Sequence, residues 1–425
     1  MRMNKKQFHE VSIRAAAQKL LGFESLRPGQ EEAIQALLDG QDVVFVAPTG
    51  SGKSAVYQIA GSLMEGATVI VSPLIALQKD QADSIGASKL AGPAVVNSML
   101  TSAEQRIENQ RIEDGDAEFI FLAPEQLRKA ETIARLKSAG VALFTVDEAH
   151  CISQWGHDFR PDYLELARVI QALGHPPTLA LTATASNEVR GEIVERLGLR
   201  EPVVVVRGFD RPNISLRVDA FETEDQKLEA LAHRVRWSDK PGIIYTATRK
   251  NAENIMAVLS AEDVNSTFYH GGLKPAERDE IHESFMQGGV EVMVATNAFG
   301  MGVDKPDVRF VFHFDIPDSL DAYYQEIGRA GRDGENASAV LFYRKENLGA
   351  MKFHTGGAEA EIAERRKERL ERMRDYAETT YCRREMLLRY FGEDPGGRCN
   401  NCDNCEVASV GAALDPSVGT RREVV

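Results

Sequence analysis

Short, unbroken apolar runs alternate along this chain with longer stretches in which apolar residues recur every three or four positions. In the first two hundred residues the runs are Val43–Val46, Ala67–Val71, Phe119–Leu122, Val141–Val146, Thr178–Leu181 and Val203–Val206. None alternates with polar residues, so each predicts a strand buried on both faces, as in a parallel sheet covered by helices. After GFDRPN (Gly208–Asn213) the pattern restarts, with Ile214–Val218, Gly242–Thr246, Ser266–Tyr269, Glu291–Thr296, Val308–Phe314 and Ala337–Tyr343. Two α/β units of similar size, joined by that short linker and facing each other across a cleft, are the expectation. From about Glu359 to Arg389 the chain becomes dense in Glu, Arg and Lys. Sparse apolar residues there (Ile362, Leu370, Met373, Tyr376, Ala377) have the spacing of an amphipathic helix with a solvated charged face. The last twenty residues carry little apolar pattern and read as a tail.

Composition narrows the class. A length of 425 residues suits two or three domains at roughly 100–200 residues each. No run approaches the roughly 20 apolar residues that span a bilayer, and the opening MRMNKKQFHE is polar, so a cytoplasmic chain without membrane contact is expected. Against 50 Lys and Arg stand 64 Asp and Glu, a net charge of −14 that argues against coating polyanions indiscriminately. Nucleic acid stays open, because binding needs a local basic groove rather than a basic total.

The chemistry begins after the first apolar run. Ala47-Pro-Thr-Gly-Ser-Gly-Lys-Ser54 lies between the strand Val43–Val46 and a helical stretch, which is the context of a phosphate-binding loop. Its candidate nucleotide contacts are Thr49, Gly50, Ser51, Gly52, Lys53 and Ser54. Glycines 50 and 52 let main-chain N–H groups turn toward phosphate, and the helix start adds partial positive charge. Lys53 is placed to reach the β- and γ-phosphates, and the Ser54 hydroxyl to reach Mg²⁺. An ATPase also needs acid at the end of a buried strand. Asp147-Glu148-Ala149-His150 ends VALFTV. Asp147 would hold the metal through water, and Glu148 would orient and deprotonate the attacking water. Arg329 and Arg332, in YYQEIGRAGRDG, lie three apart on one side of a helical turn and could enter from across the cleft. Alone, that turn better suits a surface helix pairing with its own Glu326 and Asp333.

Five cysteines in a cytosolic chain make a poor disulfide framework. Cys382 is followed after sixteen residues by Cys399, Cys402 and Cys405 at two-residue spacings. In the Gly- and Asn-rich knuckle GGRCNNCDNC, such thiolates can converge on one ion. Four thiolates favour Zn²⁺, with an iron–sulfur cluster as rival. Cys151 reads as a small apolar filler.

The order APTGSGKS, SPLIALQKDQ, DEAH, LTATA, VATNAFGMGVDKPDVRFVFHFD and YYQEIGRAGRDG resembles a superfamily-2 helicase core. LGFESLRPGQEEAI (Leu21–Ile34), SQWGHDFRPDY (Ser153–Tyr163) and the cysteine cluster narrow the resemblance to the RecQ DNA helicases, over about Ala17 to Glu406. The resemblance implies an α/β fold of two RecA-like parallel-sheet domains (P-loop NTPase type), residues 1–207 and 208–347. A helical zinc-binding domain, 348–408, and a tail, 409–425, follow.

Residue by residue, the resemblance implies that Arg27 and Gln30 read adenine, that Thr182 and Thr184 couple the two core domains, and that Gln325, Arg329 and Arg332 serve the γ-phosphate. Motif IV, GIIYTATRK, carries Thr246 and Thr248 where many relatives carry Cys and Ser. Trp155, His157, Phe159 and Arg160 mix aromatic faces with a cation, as single-strand stacking requires. From composition alone the better reading is that Trp155 and Phe159 plug a core, because aromatics are usually buried. The resemblance instead makes this the loop that couples DNA binding to hydrolysis, with His150 as relay. Further backbone-tracking candidates are Ser72–Leu74, Gln78, Arg249, His270–Gly272 and Thr296.

The implied activity is ATP-dependent 3′ to 5′ movement on single-stranded DNA, with duplex unwinding, in recombination, repair and the SOS response. The implied cofactors are ATP, Mg²⁺ and Zn²⁺. The implied partners are single-stranded and forked DNA, a single-strand-binding protein and repair proteins, for a monomer associated with the nucleoid. An RNA helicase and an ATP-switched DNA-binding protein with little unwinding are the alternatives. Some twenty residues after Cys405 are too few for the winged helix that follows in most bacterial relatives, so weak, salt-sensitive unwinding is expected.

Overall fold

Most of the apolar runs become strands because burial on both faces removes most of their surface from water. The computed structural model describes residues 12–48, 50–73, 78, 81–83, 85–86, 92–97, 100–153, 159–300, 303, 305–346 and 360–406. The chain divides into two compact units, Met1–Phe209 and Asp210–Val425.

The first unit holds β1 (Val43–Val46), β2 (Ala67–Val71), β3 (Pro93–Val96), β4 (Phe119–Leu122), β5 (Val141–Val146), β6 (Thr178–Thr182) and β7 (Val203–Val206). They form one parallel sheet in the order β3-β4-β2-β5-β6-β1-β7. The register aligns Val46 with Thr182 and Val146 with Ala180. Ala47, Asp147 and Ala183 therefore leave the sheet along one carboxyl edge, where open parallel sheets bind ligands. The helix Lys53–Leu63 is buried from Ala55 onward and packs in the same core as Phe45, Ile70 and Phe119.

Two expectations change here. Val203–Val206 is not buried on both faces: it is an edge strand, and Val204 stays 46% exposed. Sequence pattern also passed over β3. It is short, begins on a proline and alternates half-buried with buried residues, as suits the opposite edge.

The second unit holds β8 (Ile214–Ala220), β9 (Gly242–Tyr245), β10 (Ser266–Tyr269), β11 (Val292–Ala295), β12 (Phe310–His313) and β13 (Ala337–Tyr343), all parallel in the order β10-β11-β9-β12-β13-β8. The expected single helix is two, Ala360–Glu378 and Arg383–Tyr390, broken at the first metal-candidate cysteine. Its apolar stripe is real: Met373 and Tyr376 are fully buried. The cysteine knuckle covers the exposed edge of the sheet. Leu216 N–H donates to the Asn401 carbonyl at 3.2 Å, and Val218 N–H to Asp403 Oδ2 at 3.1 Å. Among the described residues no helix is long and apolar enough to cross a membrane.

Candidate nucleotide site, arginine turn and metal centre

The phosphate loop is shaped by glycine and tied by the segment before it. Gly50 and Gly52 adopt φ +79° and +78°, a left-handed backbone that favours glycine. A Cβ on Gly52 would also stand 3.0 Å from Gln30 Nε2. That amide donates to the Gly52 carbonyl at 2.9 Å, while Gln30 Oε1 accepts from Arg27 N–H at 2.9 Å. The Arg27 guanidinium bonds the Gly50 carbonyl. Arg27 and Gln30 thus brace the loop directly. Lys53 Nζ donates to the carbonyls of Ala47 and Pro48 at 2.9 and 3.2 Å. Ser51, Lys53 and Ser54 are half-buried; Thr49 lies outside the described residues.

Asp147 is buried at the end of β5. Burial and the adjacent Glu148 raise its carboxyl pKa to about 6, against the pull of Lys53. Lys53 and Asp147 therefore share one site, linked also through Gln81 to Tyr57. Glu148 sits at φ 48°, ψ 46°, left-handed backbone that a non-glycine residue adopts at a cost of order 1 kcal/mol. Its carboxylate lies 3.3 Å from His150 Nδ1, which in turn is 2.9 Å from Thr182 Oγ1. The Thr182 hydroxyl donates to the Thr184 carbonyl at 2.9 Å. One buried imidazole thus joins the acidic motif to the end of β6. Tyr163, which the sequence reading did not single out, clamps the same turn by donating from its hydroxyl to the Asp147 carbonyl at 2.9 Å.

In the second unit, the helix Leu320–Ile327 runs into the turn that carries the two arginines. Gln325 is half-buried on its last turn. Arg329 is buried, with its Nη2 only 3.1 Å from where a Cβ on Gly300 would stand, so the glycine makes its room. Arg332 Nη1 donates to the Val303 carbonyl at 2.9 Å. Glu326 does not pair with these arginines as a surface helix would allow; its carboxylate meets His313 Nε2 at 2.8 Å. Asp333 pairs with Arg309.

Cys382, Cys399, Cys402 and Cys405 bring their sulfurs within 4.8 Å of one another. A tetrahedral ion with bonds of about 2.3 Å needs sulfur–sulfur edges of about 3.8 Å, so the four fit Zn²⁺. Cys399 and Cys405 already stand 4.0 Å apart. The Cys402 thiol is pulled down to about 4, chiefly because the Cys399 thiol hydrogen-bonds to it. Around the cluster, Arg383 pairs with Asp403 at 2.5 Å and donates to the Tyr376 carbonyl at 2.7 Å. Cys151 is buried and, among the described residues, belongs to no such group.

Comparison with known proteins decides the family. Residues 27–191 match the DEAD/DEAH box helicase domain, 226–334 the helicase conserved C-terminal domain, and 345–406 the RecQ zinc-binding domain. The chain is 39% identical over 404 residues to the ATP-dependent DNA helicase RecQ of Pasteurella multocida, covering 94% of this chain and 63% of that one. It is 39% identical over 398 residues to the protein of the same name from Bacillus subtilis, covering 92% and 66%. The chain belongs to the RecQ family. It spans just under two thirds of the length of these RecQ relatives. S. cerevisiae Dbp5 bound to RNA and ADP BeF3 shares the fold alone, with a TM-score of 0.61 at 19% identity over 87% of this chain and all of that one.

Against that RecQ background, the strand-contact candidates divide. Trp155, His157 and Leu74 lie outside the described residues. Phe159 is partly exposed, and Arg160 is fixed by its N–H to the Cys151 carbonyl at 2.8 Å and its Nη1 to the Pro73 carbonyl at 3.2 Å. Ser72 and Gln78 are both fully buried and bond each other, the Gln78 amide donating to the Ser72 carbonyl at 2.8 Å. Both side chains are buried rather than facing solvent. Arg249 is exposed at the start of the helix Arg249–Ala261 and lies over Gly272; Thr296 and His270 are buried.

A support that the sequence reading missed stands under motif IV. Asp315 Oδ2 accepts from the Thr246 hydroxyl, the Ala247 N–H and the Asn251 amide at 2.6, 2.8 and 3.0 Å. The fully buried Lys227, 3.9 Å above the Phe314 ring, stands 3.5 Å from Asp315 Oδ1. Asp315 ends FVFHFD, whose pattern showed a strand but not the acid's partner.

Proposed function

We propose that this chain is an ATP-dependent DNA helicase core that couples hydrolysis to 3′ to 5′ movement along single-stranded DNA. The observation that carries the reading is the carboxyl edge of the first sheet. There the phosphate loop, Asp147–Glu148 and Thr182–Thr184 emerge side by side, and His150 joins the last two. Lys53 is assigned to the β- and γ-phosphates and Glu148 to the attacking water, while Arg329 and Arg332 supply charge to the transferring group and Gln325 serves it as a neutral polar side chain. Ser54 and Asp147 are the residues that would hold Mg²⁺, whose charge offsets that of the phosphates. Arg27 and Gln30 are assigned to reading adenine, and they also shape the phosphate loop. The four cysteines hold structural Zn²⁺. Phe159 and Arg160, with Trp155 and His157, are assigned to single-stranded DNA, as are Arg249 and Thr296.

The functional division is taken as 1–207, 208–347 and 348–408; residues 409–425 lie outside the described residues. The relatives' printed names specify DNA, which favours DNA over RNA as the strand bound. A cytoplasmic site of action follows from the same reading. ATP turnover measured with single-stranded DNA, RNA or neither tests it: strong stimulation by DNA alone is expected, with strand separation on a forked duplex. Stimulation by RNA alone would move the chain to RNA, and turnover without strand separation would leave an ATP-switched binder.

A further inference from the structure

The linker segment GFDRPN does more than join two units. Arg211 Nη1 donates to the Gly328 carbonyl at 3.1 Å, and its Nη2 donates to the carbonyls of Ala330 and Gly331 at 2.7 and 2.9 Å. Asn213 Nδ2 adds bonds to the carbonyls of Gly331 and Glu335 at 2.9 and 2.8 Å. These acceptors flank Arg329 and Arg332 on both sides. The helix ends at Ile327, and carbonyls past a helix end lack intrahelical donors. Arg211 supplies donors to the Gly328 and Ala330 carbonyls with a rigid guanidinium fork, and adds one to the Gly331 carbonyl, which also accepts from the Gly334 N–H at 3.1 Å.

Two more observations fit the same device. Gly331 sits at φ +55°, and a Cβ on it would come 2.4 Å from Asn213 Nδ2. A glycine between the two arginines is thus what lets Asn213 reach the turn. The segment is itself held from its other side. Asp210 accepts from Arg384 at 2.7 Å, and the Pro212 carbonyl accepts from Asn401 of the cysteine knuckle at 2.8 Å.

We propose that Arg211, assisted by Asn213, is a positioning residue for ATP hydrolysis: it fixes the main chain of Gly328–Gly331 so that Arg329 and Arg332 leave the turn in their working orientation. This rests on the assignment of those two arginines to the transferring phosphate. Arg211 spends three of its donor contacts on carbonyls and touches no phosphate in this scheme. A displacement of about 1 Å at a catalytic group can cost on the order of 10²-fold in rate.

The test is steady-state ATP turnover by the whole chain with saturating single-stranded DNA. Arg211→Ala should lower kcat by roughly 10- to 10²-fold. KM for ATP should stay within about twofold, because uniform binding is untouched. Single-strand affinity should be retained, and the thermal midpoint should fall by no more than a few degrees. Gly331→Ala should show the same split, and Arg211→Lys should recover part of kcat, since one ammonium can satisfy fewer of the three carbonyls. Should Arg211→Ala fail to fold, Asn213→Ala carries the test with the same expected split. Wild-type kcat in Arg211→Ala overturns the proposal. So does a fall in kcat that merely tracks a fall in thermal midpoint across the set. Arg329→Ala and Arg332→Ala are the controls, each expected to lose roughly 10³-fold. If they lose turnover and Arg211→Ala does not, the positioning role alone fails. If they keep full turnover, the arginine assignment fails first.

Discussion

The phosphate loop and the arginine turn both present positive charge, and they are built by opposite means. The loop is local. Its left-handed glycines, its lysine and its braces Arg27 and Gln30 all lie within about one strand and one helix of each other in sequence. The arginine turn is long-range. Its main-chain carbonyls are held by Arg211 and Asn213, whose partners lie between 117 and 122 residues away in the chain. Its parent helix Leu320–Ile327 packs against the two following helices, with the Tyr323 and Tyr376 rings 5.1 Å apart and the Tyr324 and Phe391 rings 4.7 Å apart. A locally built site can lose its key side chain and keep its shape. A site built by distant side chains is exposed to damage anywhere in its supports.

The sharpest use of that contrast is Lys53→Ala. Lys53 bonds two carbonyls of its own loop and partly offsets the charge of buried Asp147, so its loss should lower the thermal midpoint by no more than a few degrees and leave metal content unchanged. ATP turnover should fall by at least about 10²- to 10³-fold, as when an electrostatic donor is removed from a developing charge. Substantial residual hydrolysis by a well-folded variant would break the loop assignment. Next in size is Glu148→Gln, which keeps the left-handed backbone and removes the base. ATP binding should survive while turnover drops by at least about 10²-fold. Loss of nucleotide binding instead would give Glu148 a structural role.

The long-range region should respond differently. The purified protein is expected to be colourless and to hold about one zinc ion per chain, as four converging thiolates imply. Cys399→Ser, or stripping the metal with a strong chelator, should lower the thermal midpoint of the second unit by several degrees, consistent with a loss of more than about 1 kcal/mol. Nucleotide affinity at the phosphate loop should change little. The reason is on the surface of the sheet: Asn401 and Asp403 of the knuckle satisfy the edge of β8, and Arg383 ties Asp403 to Tyr376. A brown protein with visible absorbance would point to iron and sulfur; an unchanged midpoint after chelation would remove the structural role.

This division also marks what the sequence made legible. The phosphate loop, the acidic pair and the cysteine spacing are contiguous patterns, so each could be read without knowing the fold. Double-sided burial made most strands readable as apolar runs, whereas β3, with its proline start and half-exposed face, gave no such run. Nothing in GFDRPN announced that Arg211 would serve carbonyls beyond residue 327, because such a pairing exists only once β8 and β13 lie side by side. Likewise Gln78 has the look of a surface amide in sequence, yet it is buried because Ser72 and Asn97 provide its partners. The left-handed backbone of Glu148 is a third case, since nothing in the acidic motif demands it.

The smallest expected effect tests the electrostatics of the local site. Burial first, and then the Glu148 charge, raise the Asp147 pKa from its ordinary 3.8 to about 6, with Lys53 opposing. A raised carboxyl pKa means the folded state binds more protons than the unfolded state between those two values. The stabilising contribution of protonated Asp147 is therefore fully present below 3.8 and lost as pH rises through about 6. Above that pH the nucleotide-free protein carries a buried carboxylate that is only partly compensated. Asp147→Asn should consequently raise the thermal midpoint at pH 7.5 by a few degrees, and the gain should shrink as pH falls through 6 toward 4. Midpoints of both proteins across that range, measured without Mg²⁺ or nucleotide, check the sign. A gain that stays constant with pH would mean that the Asp147 pKa is not raised, because Lys53 offsets burial.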